Sequence, residues 1–151
     1  MKKWLTALST AGILLILVLF LSFLYFSPLP MSDLAKKDHE ILVTMTKIGV
    51  RNGEAYIDCE NYNALTREQQ NQIRNAFRNH SYRRRFSTPL SDGAMDGLGE
   101  EHIQIYIYDD LTLVHSIFLS PEGDVMIDAK NYRMKDAEEI FEEIKDALRI
   151  E

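Results

Sequence analysis

The feature that most constrains this chain is an uncharged run of 23 residues from Trp4 to Phe26, 18 of them apolar. An α-helix rises about 1.5 Å per residue, so the run would span roughly 34 Å, and a bilayer's hydrocarbon core is about 30 Å thick. Leucine and isoleucine fall on all faces, which argues against an amphipathic surface helix. The expectation is a single transmembrane helix that engages the lipid bilayer through Trp4 to Phe26. Lys2 and Lys3 precede it, so the positive-inside tendency places the N-terminus in the cytoplasm and the remainder outside the cell membrane. Trp4 and Tyr25 stand at the two ends, where amphipathic rings prefer the interface. A cleavable signal peptide would need a shorter apolar region and a small-x-small site. Ser22 and Ser27 have Phe20 and Tyr25 two positions earlier, so the segment reads as an uncleaved signal anchor.

The rest of the chain reads as one domain. Residues 1–26 form the cytoplasmic tip and anchor. Residues 27–38, with Pro28 and Pro30, form a linker that stops the helix. Residues 39–151 form an extracytoplasmic domain. The single cysteine excludes an intrachain disulfide framework and any multi-cysteine metal site. A net charge of −6 argues against a general nucleic-acid binder.

Glu40 to Val50 is rich in β-formers, and Asn52-Gly53 then tolerates the positive φ angles of a type I′ turn into Glu54 to Cys59. Thr66 with Gln69 makes a capping box, predicting a helix to about Asn79. Tyr82 to Phe86, His102 to Tyr108, Leu111 to Leu119 and Asp124 to Asp128 read as strands, with turns at Asp109-Asp110 and Pro121-Glu122-Gly123. Asp136 and Glu139 form a second capping pair, and Ala137, Ile140, Phe141, Ile144 and Leu148 make one apolar helix face. The predicted class is α+β: a transmembrane helix, then an antiparallel sheet with two helices packed on one face, in ββα-ββββ-α order.

The anchor with Lys2-Lys3, the hairpin at Asn52-Gly53, the Thr66 helix after a strand and the closing strand–Tyr132–helix unit together resemble small membrane-anchored extracytoplasmic proteins of unknown function from Gram-positive bacteria. The resemblance implies export and a small α+β domain. It carries no functional residues and departs from lipid-modified members, since no cysteine follows the apolar run.

Charge is segregated. Residues 67 to 85 hold six arginines and one acid, whereas residues 92 to 151 hold sixteen acids and five bases. Arg74 and Arg78 share a helix face. Arg83 and Arg85 share a strand face, with Arg84 opposite. Arginine's planar fork matches carboxylates and phosphates, so Arg74, Arg78, Arg83 and Arg85 are the expected patch for an anionic partner. Internal pairing with the acidic final third is the competing expectation. The loop Ser87 to Glu101 is long enough to be functional or disordered, and its acids do not have the spacing of a calcium loop. Tyr106 and Tyr108 share a strand face opposite the isoleucines and form a candidate aromatic surface. His102 and His115 share a face only if the intervening turn has two residues, and no third zinc ligand stands beside them. Cys59 is expected to be buried and inert. No hydrolase elbow or phosphate-binding glycine loop is present.

These features point to a non-catalytic, membrane-tethered interaction module, contacting another membrane or envelope protein, with no cofactor, metal or nucleic acid. The alternative is a small-ligand or envelope-polymer binding domain using the tyrosine face. A hydrolase built on His102 and a nearby aspartate ranks third.

Overall fold

The structure, a computed structural model, describes residues 2–90 and 101–149, with side chains from residue 12 onward. It is α+β. Helix α1 (Lys2–Tyr25) is followed by β1 (Leu29–Pro30), a 3-10 turn (Met31–Asp33), β2 (Glu40–Arg51), β3 (Glu54–Tyr62), α2 (Arg67–Asn79), β4 (Ser81–Arg84), a 3-10 turn (Thr88–Leu90), β5 (Glu101–Asp109), β6 (Thr112–Leu119), β7 (Asp124–Ile127), β8 (Lys130–Met134) and α3 (Ala137–Leu148). The eight strands form one antiparallel sheet in the order β1-β4-β8-β7-β6-β5-β2-β3.

The expected ββα-ββββ-α order is corrected at two places. Strand β1 precedes the first hairpin, and β8 adds a fifth strand between α2 and α3. The expected transmembrane anchor, and with it the single-pass topology, the cytoplasmic N-terminus and the cell-membrane location, is also corrected. Among the described residues no helix is long and apolar enough to cross a membrane. The described side chains of α1 begin at Gly12. The side chains from Ile13 to Leu24 are exposed.

Alternation sets the two faces of the sheet. Ile41, Val43 and Met45 of β2, Ile103, Ile105 and Ile107 of β5, Ile117 and Leu119 of β6, and Val125 and Ile127 of β7 share one buried cluster with Ile73 and Phe77 of α2 and Ile140, Phe141 and Ile144 of α3. Both helices therefore cover the same face. Helix α2 starts where Thr66 accepts from the Gln69 backbone while Gln69 reaches back to the Thr66 backbone, satisfying two amide donors that a helix start otherwise leaves orphaned. Asp136 precedes α3 but makes no side-chain cap bond, which corrects the second expected capping pair. The segment expected as a linker contributes Met31, Leu34 and Ala35 to the core.

Strand β2 pairs with β5 only over Glu40 to Lys47 but with β3 as far as Arg51. The end of the first hairpin consequently projects past the sheet, and β3 is exposed on both faces. Cys59 lies opposite Thr46, short of the projecting end, and is exposed because β3 is an uncovered edge strand, against the expectation of a buried thiol. Glu54, Asp58 and Glu60 place charge along this edge, a known guard against edge-to-edge association. The turn uses Asn52 (φ 55°) and Gly53 (φ 84°) as anticipated.

Candidate functional site

The arginines do not form one patch. Arg74 is 8% exposed and acts as an internal strut. Its Nε donates to the Lys36 carbonyl at 3.1 Å, and its Nη2 donates to the His39 carbonyl and to Gln70 Oε1. Burial pulls its pKa below the ordinary guanidinium value, with Asp38 opposing and Arg78 adding to the shift. Arg78 is exposed and donates to Asn75 one turn earlier. Arg84 turns to the other face, donates to the Tyr25 carbonyl at 3.2 Å and lies over the Tyr25 ring. With the Phe26–Phe86 ring contact, this fixes the end of α1 against β4.

Arg83 and Arg85 do come together, in a cleft of about 870 Å³. Strand β4 supplies Arg83 and the edge residue Arg84, and the residue after it is Arg85. Strand β8 supplies Arg133, and Lys135 follows it. The β6–β7 turn forms the opposite wall around Pro121 to Gly123. Register brings the charges into line: Arg83 stands directly opposite Arg133, and Arg133 opposite Asp124 on the next strand. Like charges directly opposite across a sheet repel. Asp124 is engaged by Arg85 in a close ion pair. Among the described residues no carboxylate pairs with Arg83, Arg133 or Lys135. Glu122, Asp136 and Glu138 lie at the rim.

Arg133 and Lys135 were not singled out in the sequence because they sit on and just beyond β8, a strand the pattern does not announce. Internal pairing of the arginines with the acidic final third is realised among the described residues only by Arg85 with Asp124.

Tyr106 and Tyr108 are half-buried on the sheet face opposite the helices, and the Tyr106 hydroxyl donates to Gln104 Oε1 at 2.8 Å. Neither tyrosine lines the basic cleft. A bulge between Ile107 and Tyr108 places His115 opposite Ile107. His115 thus shares the face of the isoleucines and bonds Asp128 at 2.8 Å, whereas His102 points to the other face. His102 is 3% exposed, and desolvation pulls its pKa below the ordinary value. Residues 91–100 of the expected Ser87–Glu101 loop lie outside the described residues. Glu101 itself belongs to β5 and bridges Lys47 and Lys145.

Comparison with known proteins gives no match to any family model, any curated protein or any solved structure.

Proposed function

We propose that this domain is an interaction module that docks a carboxylate-rich segment of a partner protein in the cleft between β4, β8 and the β6–β7 turn. One observation carries the reading: Arg83 and Arg133 face each other on neighbouring strands on the wall of a cleft, and neither forms an ion pair with a carboxylate among the described residues. An incoming anion would relieve their repulsion and gain charge-assisted hydrogen bonds from two planar forks. Asp124 on Arg85 illustrates the ligand type, a carboxylate meeting a guanidinium within the same cleft. Phe26 and Pro121 add apolar contact, which suits a peptide better than a bare inorganic anion. The net charge of −6 directs an acidic partner away from the remaining surface.

The test is a fluorescence-anisotropy titration of a labelled peptide of eight alternating aspartates and glutamates. Wild type should bind at low salt and weaken steeply as salt rises. Each of Arg83→Ala and Arg133→Ala should weaken binding about tenfold, the loss of one charge-assisted hydrogen-bonded contact. Equal binding by wild type and the double variant would remove the proposal. Inorganic phosphate binding as tightly as the peptide would replace it with a small-anion site.

A further inference from the structure

His80, Glu139 and Glu143 meet where the end of α2 passes the first two turns of α3. Their ligand atoms all lie within 4.8 Å of one another. The two glutamates are four residues apart, so they project from one side of the helix and repel each other. His80 caps α2 in an extended conformation (φ −118°, ψ 157°), and its carbonyl accepts from the Met31 amide. The imidazole is thereby delivered toward α3 rather than outward. It is 5% exposed, yet neither ring nitrogen makes a hydrogen bond among the described residues. Its Nε2 lies 3.5 Å from Glu143 Oε2, beside the carboxylate without bonding it in good geometry.

A buried imidazole normally finds a partner for its nitrogens, because leaving a polar group unsatisfied away from water is costly. Here the surroundings offer negative charge from two carboxylates and a nitrogen lone pair, which is the donor set of a transition-metal site. We propose that His80, Glu139 and Glu143 bind a divalent transition-metal ion, zinc fitting best, and so clamp the end of α2 to α3.

The donor chemistry selects the ion class. Magnesium and calcium prefer all-oxygen shells with six or more ligands, whereas imidazole with carboxylates suits zinc. Zinc bonds to nitrogen and oxygen run about 2.0–2.2 Å, so donors on a tetrahedral edge stand about 3.4 Å apart. Exposed Glu139 can close the remaining distance by side-chain rotation alone. Three protein donors leave a fourth position for water. In the sequence the Glu139–Glu143 spacing reads as a solvent face, and only the fold adds the histidine.

The experiment is calorimetric titration of the full chain with zinc chloride, in a Cys59→Ser background that removes the exposed thiol. One zinc per chain should bind, and a hundredfold excess over Kd should raise Tm by about 5–10 °C. Magnesium and calcium should do neither. Glu139→Gln with Glu143→Gln changes two surface side chains without opening the core, so its circular dichroism should match wild type while zinc affinity falls at least tenfold. His80→Gln should lose affinity likewise. Absence of saturable zinc binding in the parent would overturn the proposal. A loss of less than tenfold in the double glutamine variant would also overturn it.

Discussion

Replacing Arg74 with alanine should destabilise the domain severely while changing nothing at its surface. The guanidinium joins α2 to residues 36–39 through the Lys36 and His39 carbonyls, and Gln70 and Asn71 hold it in place. Truncation removes two charge-assisted bonds to backbone carbonyls, each contributing about 1.5–3 kcal/mol. The lower end of that range gives about 3 kcal/mol for the pair. That is a large part of the roughly 5–15 kcal/mol that holds a domain folded. Urea unfolding followed by circular dichroism reads it directly. With a slope of about 2 kcal/mol per molar urea, the midpoint should fall by about 1.5 M. Arg74→Lys should recover less than half, because an ammonium cannot span two carbonyls as a planar fork does. Arg78→Ala, on the exposed neighbouring turn, should stay within about 0.5 kcal/mol of wild type. A midpoint shift below about 0.4 M for Arg74→Ala would refute the strut.

Three further outcomes follow from the same geometry. Thr66→Ala removes the reciprocal cap of α2 and should cost about 1 kcal/mol in urea unfolding, with Thr66→Ser close to wild type; equal losses in both would point to something other than the cap. Gly53→Ala places a Cβ at φ 84° and should cost about 1–2 kcal/mol, whereas a neutral result would mean the turn has another conformation. Burial holds the folded pKa of His102 below its unfolded value of 6.5. The unfolded chain then takes the proton first, so His102 leaves stability intact above about pH 6.5 and lowers it as pH falls through that value toward the folded pKa. His102→Gln should flatten this acid limb, and an unchanged slope between pH 7.5 and 5.5 would contradict the assignment.

What the sequence discloses tracks how local the cause is. The Asn52-Gly53 turn, the Thr66 cap and the isoleucine alternation of β5 are fixed by neighbours within a few residues, and all three appear where the pattern places them. Strand β8 is hidden because its turn uses Asp128 and Ala129 at φ 51° and 62°. Alanine carries no signal for the left-handed region, since its Cβ disfavours it. Losing β8 conceals Arg133 and Lys135, hence half of the basic cleft. Strand β1 is two residues long and exists only because Leu29 and Pro30 meet Tyr82 and Ser81. Arg74 and Arg78 share a helical side by spacing, but spacing does not disclose that residues 36–39 cover one and leave the other in water. Cys59 alternates correctly with its neighbours, yet β3 is the edge strand of the sheet and is left uncovered on both faces, and no periodicity reports that. The uncharged N-terminal run suggests a membrane crossing by composition, while among the described residues no helix is long and apolar enough to make one.

The cleft between β4, β8 and the β6–β7 turn is the proposed docking surface. Amide chemical-shift mapping on the isotope-labelled chain tests it most directly, with the acidic octapeptide added at low salt. The largest shifts are expected at Arg83, Arg85, Gly123, Arg133 and Lys135, all abolished by Arg83→Ala with Arg133→Ala. Shifts centred instead on Tyr106, Tyr108 and β3, unaffected by that double variant, would contradict it.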